Sequence, residues 1–408
     1  MTHVCRVCSS REMSTLIDLG MSPIANNLVQ SEQITQEEPL FPLHALVCQN
    51  CSLVQIPEVV PREILFPANY LYYSSYSSSW LQHCQKFAEN ALQQFSLGQN
   101  SFVVEVASND GYLLQYFKNS GIRVLGVEPA AEVAAVAIKK GIETEITFLG
   151  KRSGEQIASK HGRASLICAN NVLAHVPDLD DFVMGLKALL SEDGVITIEF
   201  PHIVNLIKNL QFDTIYHEHY SYLGVTPLKL LFTRFELKIF RVDTIDTHGG
   251  SIRVYVSHAG SDREIEPSVA QIMDLENTFD PRKELIRERF QADVQTNVNA
   301  LKSLIDELKF AGKRIAAYGA AAKGNTFLNY AKITAHEIDY VIDNNPQKQN
   351  HLLPGSHIPV KARDFGEKFL PDVVLVLPWN LSAEIKQDFS AVNENILFLR
   401  ASPQVEFF

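Results

Sequence analysis

The sequence predicts an α/β protein in three parts: a small N-terminal module held by cysteines, then two successive parallel sheets flanked by helices. Three observations carry that prediction. Two C-x-x-C pairs stand near the N-terminus, Cys5-Arg6-Val7-Cys8 and Cys48-Gln49-Asn50-Cys51. Short apolar runs, each ending in a polar or glycine-bearing turn, recur between residues 101 and 200, and a second series runs from 314 to 377. A strand that ends in such a turn and leads into helical spacing is the repeating unit of a parallel sheet.

Length and composition fit. At 408 residues the chain is long enough for two or three domains, and 46% hydrophobic with 20% charged residues describes an ordinary globular protein rather than a disordered or collagen-like one. With 36 basic against 47 acidic residues, general capture of a nucleic-acid backbone is not expected. No apolar run is long enough to span a bilayer, and Met1-Thr2-His3-Val4-Cys5-Arg6 has no apolar segment behind a basic start, so no membrane association and a cytoplasmic location are expected.

The N-terminal module, residues 1–70, is read from its thiols. Each C-x-x-C lets two thiolates on one turn point at a single ion, and two such turns complete a tetrahedral zinc site from Cys5, Cys8, Cys48 and Cys51. A closed four-sulfur shell leaves no position for substrate, so this zinc is structural. Cys84 and Cys168 stand alone and are expected to be packing residues.

In residues 71–240 the first strand, 101–106, runs into Ala107-Ser108-Asn109-Asp110-Gly111. A second, 124–127, is tipped by Glu128; a third, 164–169, ends in Asn170-Asn171; a fourth spans 194–200. Parallel strands place their carboxyl ends on one edge, where ligands of open sheets bind. The expected ligand contacts are Glu105, Ala107, Asn109, Asp110 and Gly111, whose turn would offer backbone N–H groups, with Glu128 on two ribose hydroxyls and Asn170 and Asn171 nearby. This Rossmann-like turn lacks the G-x-G-x-x-G that a dinucleotide pyrophosphate prefers. Its acids instead suit a cationic ligand without phosphates, such as S-adenosylmethionine; NAD and a sheet with no ligand are the alternatives.

Residues 241–408 repeat the sheet logic after a polar, helix-like stretch from about 264 to 311. The strand 314–318 runs into Gly319-Ala320-Ala321-Ala322-Lys323-Gly324-Asn325, and later strands end in Asp343-Asn344-Asn345 and Pro378-Trp379-Asn380. Small residues at a helix start admit a phosphate. Lys323 and Asn325 are expected near phosphate and Asp343 near a sugar or base hydroxyl, in a second Rossmann-like domain that grips a nucleoside diphosphate. A wall or dimer face is the alternative. His248-Gly249-Gly250-Ser251 lies between the two halves, either for close substrate approach or as an ordinary turn.

In order along the chain, the zinc knuckles, Glu105 to Gly111, Asn171-Val172-Leu173-Ala174-His175-Val176, Tyr216-His217-Glu218-His219-Tyr220-Ser221-Tyr222 and Asp246 to Tyr255 resemble the nucleotide-sugar C-methyltransferase family. The resemblance covers nearly the whole chain. It implies methylation of a ring carbon of a dTDP-linked deoxysugar, commonly C-3 beside a C-4 ketone. It also implies His219 as base, Glu218 as its partner or a substrate-orienting group, Tyr216 as a hydroxyl donor near an enolate, and His175 and Tyr70 facing the sugar. Such a reaction needs a base beside the carbonyl and a stabiliser for the enolate oxygen, which imidazoles, a carboxylate and phenols can supply. The histidines at 217 and 219 are two apart, not the four of a helical H-E-x-x-H, so a second metal site is not expected. A nicotinamide-dependent sugar-nucleotide oxidoreductase and a non-catalytic zinc-containing nucleotide-sugar-binding protein are the competing readings.

Overall fold

The computed structural model describes residues 3–30, 37–65, 73–363, 370–390 and 395–408. In the N-terminal module, β1 (Met13–Ser22) pairs antiparallel with β2 (Phe41–Cys48), and β2 pairs with β3 (Val54–Gln55). The two C-x-x-C turns share one geometry. Ser9 N–H donates to the Cys5 carbonyl and Ser52 N–H to the Cys48 carbonyl, both at 2.9 Å, and Ser9 and Ser52 are both left-handed. Each turn thereby aims its two sulfurs the same way.

The central sheet follows from its runs of β-branched residues. Strands β4 (Phe102–Val106), β5 (Arg123–Val127), β6 (Thr144–Glu145), β7 (Ala164–Asn170) and β8 (Leu190–Pro201) are mutually parallel, in spatial order β8-β7-β4-β5-β6. A short strand, β9 (Ser221–Tyr222), leaves this domain and pairs with β3, so the N-terminal sheet is completed by residues from far along the chain. The antiparallel hairpin β10 (Leu237–Ile245) and β11 (Ser251–His258) then extends the central sheet beyond β8 to seven strands. The boundary expected at 70 lies outside the described residues, the one expected at 240 falls within β10, and β9 joins the N-terminal sheet from the central part of the chain. Antiparallel pairing needs only a short turn, so this hairpin adds to the sheet without the helical crossover that the parallel pattern led one to look for.

Helix α1 (Ser78–Gln94) packs on the central sheet through Cys84, Phe87, Ala88 and Ala91, confirming Cys84 as a packing residue. The polar stretch resolves into α2 (Pro267–Thr278) and the 27-residue α3 (Glu284–Phe310). Helix α3 buries Phe290, Val294, Val298, Leu301 and Ile305, one stripe at helical spacing. That stripe joins a single core with Leu16, Val47 and Val54 of the N-terminal sheet and Ile315, Val341 and Leu375 of the C-terminal one. Each such side chain contributes roughly 1.5–3 kcal/mol, so the module is welded to the domain behind it.

The C-terminal sheet has the order β14-β13-β12-β15-β16-β17, from β12 (Ile315–Tyr318), β13 (Tyr340–Ile342), β14 (Val360–Lys361), β15 (Val373–Val376), β16 (Leu397–Arg400) and β17 (Glu406–Phe407). All its pairings are parallel except the last. Helix α4 (Ala322–Ala331) follows β12. Among the described residues no helix is long and apolar enough to cross a membrane.

Candidate active site

The turn after β4 is built on left-handed backbone at Ala107 (φ 55°), Asn109 (φ 50°) and Gly111 (φ 80°). Non-glycine residues there are sparsely populated and cluster at functional sites. Its N–H groups are bonded internally: Ala107 and Ser108 donate to the Val127 carbonyl, Asn109 to Glu128 Oε2 at 2.9 Å, and Gly111 to the Ser108 carbonyl. The expected cradle of backbone donors is thus corrected at these amides. The buried groups left without a hydrogen-bond partner are mostly acceptors, Ser108 Oγ, Asp110 Oδ1 and both amide atoms of Asn170, beside the fully buried Glu105 carboxyl. Burial drives the Glu105 carboxyl well above its usual range, although the Tyr112 hydroxyl opposes this. Asp110 is partly neutralised by Lys140 Nζ, 3.1 Å from its other oxygen. Glu128 also accepts from Ala130 N–H at 2.9 Å, and burial raises its pKa. Asn171 is left-handed as well, and its Oδ1 is an unpartnered acceptor. A buried row of orphaned acceptors fits a positively charged ligand and would repel a pyrophosphate.

The segment Tyr216 to His219 is neither extended nor helical. His219 N–H donates to the Tyr216 carbonyl at 2.9 Å, closing a turn that stacks the phenol on the imidazole with ring centroids 4.0 Å apart. Tyr216 Oη lies 2.7 Å from His219 Nε2, and His219 Nδ1 lies 2.9 Å from the Thr214 carbonyl. A carbonyl only accepts, so Nδ1 carries the proton, Nε2 is the acceptor, and Tyr216 donates to it. His175 meets the same logic: its Nδ1 donates to the Glu218 carbonyl at 2.8 Å, and its ring lies edge-on to His219 at 4.6 Å. Burial brings His175 down to about 4. Burial, with His175, Lys323 and His248 nearby, holds His219 well below the usual histidine value. Both rings are neutral at pH 7.

Glu218 does not partner His219. Its carboxylate turns toward the N-terminal module, where Asn26 Nδ2 donates to Oε1 at 2.6 Å, and burial raises it to about 7 despite that bond. His217 is buried and edge-on to Phe41, and burial lowers its pKa although the Pro42 and Phe41 backbone opposes this. Tyr70 lies outside the described residues.

Sequence reasoning missed Glu199, a charge inside the apolar run of β8, which is itself the signal for a purposeful buried group. It stands at the carboxyl end of β8 opposite Asn170 and is fully buried. Burial alone would raise its pKa, but His83 Nε2 at 2.9 Å and the adjacent Arg253 guanidinium hold it at about 2. Its Oε1 accepts from Thr247 Oγ1 at 3.0 Å, which pins the left-handed loop carrying His248. Trp80 of α1 stacks on His83 at 5.1 Å and meets His248 at 5.2 Å. Burial and Lys323 lower His248 to about 4.

The C-terminal domain reaches the same place by a route that was not expected. Asp343 closes its own turn, accepting from Ala320 N–H and Asn345 N–H at 2.8 Å, so its expected sugar or base hydroxyl is replaced by backbone. Gly319 is left-handed, and a Cβ there would stand 2.6 Å from Pro378 Cδ; one at Gly324 would meet Leu377 at 2.6 Å. The small residues of this turn serve close packing. Asn325 is buried with both amide atoms unpartnered. Lys323 Nζ lies 5.1 Å over the Trp379 ring, and Trp379 Nε1 donates to Asp213 Oδ2 at 2.7 Å. Burial raises Asp213 to about 6, although Lys323 and the Trp379 indole oppose it.

The four thiols fit zinc. A tetrahedron with bonds of about 2.3 Å puts sulfurs roughly 3.8 Å apart. All four Sγ atoms lie within 4.8 Å of one another, and Cys5–Cys51 and Cys8–Cys48 are each at 3.4 Å, too far for a disulfide.

The chain matches three family models in sequence: a zinc binding domain over residues 5–66, a methyltransferase domain over 80–242, and a C-methyltransferase C-terminal domain over 246–397. It is 36% identical over 391 residues to C-methyltransferase NovU of Streptomyces niveus, a match covering 96% of this chain and 93% of that one. The chain belongs to the C-methyltransferase family. It is an S-adenosylmethionine-dependent methyltransferase with a structural zinc on Cys5, Cys8, Cys48 and Cys51. Partial likeness also extends to an S-adenosylmethionine-dependent methyltransferase of Anabaena variabilis, 15% identical over 44% of this chain and 93% of that one (TM-score 0.34). The magnesium protoporphyrin IX methyltransferase of Synechocystis is 13% identical over 44% and 81% (TM-score 0.33).

Proposed function

We propose that this C-methyltransferase methylates C-3 of a dTDP-linked 4-keto-deoxysugar through an enolate. The observation that carries the reading is the hydrogen-bonded pair of Tyr216 and His219, a phenol 2.7 Å from an imidazole nitrogen whose other nitrogen is fixed by the Thr214 carbonyl. His219 Nε2 draws the phenolic proton of Tyr216 as the Tyr216 oxygen takes the proton from the carbon beside the ketone. The C–H electron pair becomes the enolate double bond, and the carbonyl pair moves onto oxygen. His175, its tautomer set by the Glu218 carbonyl, presents Nε2 toward the sugar. Glu105, Asp110 and Asn170 hold the donor's cationic amino acid portion, beside Ala107, Asn109, Gly111 and Asn171, and Glu128 takes the ribose hydroxyls. Bound S-adenosylmethionine supplies an electrophilic methyl on a positively charged sulfur. Asn325 and the loop at His248 line the sugar-nucleotide side.

Incubating the enzyme and methyl donor with dTDP-, GDP- and CDP-4-ketosugars and weighing the products by mass spectrometry tests the substrate. One added CH₂ on a dTDP sugar is the expected outcome. Addition confined to another nucleotide class would overturn the dTDP assignment, and no addition to any ketosugar would overturn the reaction.

A further inference from the structure

We propose that Lys323 is a catalytic residue, whose ammonium stabilises the enolate oxygen formed when the Tyr216–His219 pair removes the proton. The inference rests on the enolate reading and adds a cation at the oxygen end of the enolate. Removing a proton from carbon leaves one negative charge on the former carbonyl oxygen, while the matching positive charge goes to the His219 ring behind Tyr216. When the enolate carbon takes the methyl, the C–S bond breaks with its electron pair left on sulfur, and the oxygen returns to a neutral ketone. The negative charge exists only between those two steps. A fixed cation at that oxygen therefore favours the transition states over the bound ketone, which is the condition for raising a rate.

Three features bring Lys323 there. Helix α4 lies on the residues that lead into Tyr216, with Phe327 and Tyr330 against Phe212 at ring distances of 5.1 and 5.3 Å. The Lys323 ammonium rests over Trp379, whose indole N–H is bonded to Asp213, and Asp213 adjoins Thr214, whose carbonyl orients His219. The Trp379 ring also packs on Gly249, beside His248, where an added Cβ would stand 2.2 Å away. One indole thus ties the ammonium to the loops that carry His219 and His248. Lys323 is near enough to lower both His219 and His248. Burial lowers the Lys323 pKa while Asp213 opposes this, and no ion pair within 4.0 Å is seen among the described residues between its Nζ and a carboxylate. The turn before it is packed shut by Pro378 and Leu377, which leaves a phosphate little access to the backbone that was expected to receive it.

The test is solvent-deuterium exchange at C-3 of a dTDP-4-keto-6-deoxyhexose, with S-adenosylhomocysteine in the donor site, in Lys323→Met and Lys323→Ala. Met keeps an apolar stem over Trp379, and homocysteine-nucleoside affinity reports that each variant is folded. At saturating sugar the exchange rate is expected to fall on the order of 10²–10³-fold in both, the loss seen when a single oxyanion donor is removed. The KM should change little, and added ethylammonium should restore part of the rate in Lys323→Ala. A raised KM with an unchanged saturating rate would overturn the assignment and give the ammonium to the diphosphate. A folded, slow Lys323→Ala that no amine rescues would also overturn it. Absence of exchange in the wild-type enzyme would instead overturn the enolate reading itself, and the Lys323 role with it.

Discussion

Replacing His219 with Asn separates the two bonds of the imidazole. In the wild type, Nδ1 donates to Thr214 at 2.9 Å and Nε2 accepts from Tyr216 at 2.7 Å, opposite ends of one ring. An Asn amide can replace the first bond but, being shorter, cannot span to the phenol as well. The variant therefore retains the anchored loop and loses the proton acceptor. General-base removal of this kind is worth about 10²–10⁴-fold in rate. The assay is deuterium uptake at the sugar carbon by NMR, with calorimetric binding of S-adenosylhomocysteine as the control for the donor site. Exchange should fall by that factor while donor affinity stays within about twofold, because the substitution keeps the Thr214 bond and leaves the residues of the turn after β4 unaltered. Because His219 lies well below the usual histidine value, it is neutral through the physiological range, and the acid limb of wild-type exchange should lie below about pH 6.5. Wild-type exchange by the Asn variant would refute the reasoning and remove His219 from the proton path.

Glu105→Gln should act in opposite directions on stability and binding: it removes a fully buried carboxyl whose ionisation burial opposes, so the ligand-free enzyme should melt higher at neutral pH, while donor affinity falls about 10–100-fold with loss of the carboxylate that would face a cationic ligand, as read by calorimetry. Glu218→Gln tests a pH linkage. Raised from 4.5 to about 7, Glu218 keeps a proton in the folded state that the unfolded chain releases, so its contribution to stability is full below about pH 4.5 and declines as pH rises to 7, by about 3 kcal/mol. Denaturant titrations should show the Gln variant matching wild type near pH 4.5 and exceeding it at pH 8; equal pH slopes would contradict this. Cys48→Ser should lose the one zinc per chain by elemental analysis and abolish exchange although the thiols lie outside the proposed reaction path, because β3 holds β9 and Arg6 Nη1 holds the Tyr220 carbonyl at 3.0 Å, immediately after the Tyr216–His219 turn. Full exchange in a zinc-free variant would break that link.

Local chemistry was legible because it is written in neighbouring residues. The cysteine spacing, the strand-and-turn runs and the acid-bearing turn after β4 each depend on positions a few residues apart, and all three stand in the structure. Tyr216 and His219 were visible as chemistry but not as a pair, since a turn, not a strand or helix, brings them together. What depends on distant segments was not legible. Nothing near Glu218 says that its carboxylate will meet Asn26, 192 residues away, and nothing near Asp213 announces Trp379, 166 residues on. The glycines at 319 and 324 mislead for a related reason: a backbone position without a side chain admits a phosphate or a neighbouring proline equally well, and only packing decides. Glu199 could have been suspected from its place in an apolar strand, but its partners His83 and Arg253 come from opposite sides of the sequence.

The most direct measurement is the NMR spectrum of the product made with ¹³C-methyl donor and a dTDP-4-ketosugar. The label should appear as a methyl bonded to the ring carbon next to the ketone, with the diphosphate intact. A label bonded to oxygen or nitrogen would contradict carbon methylation through an enolate.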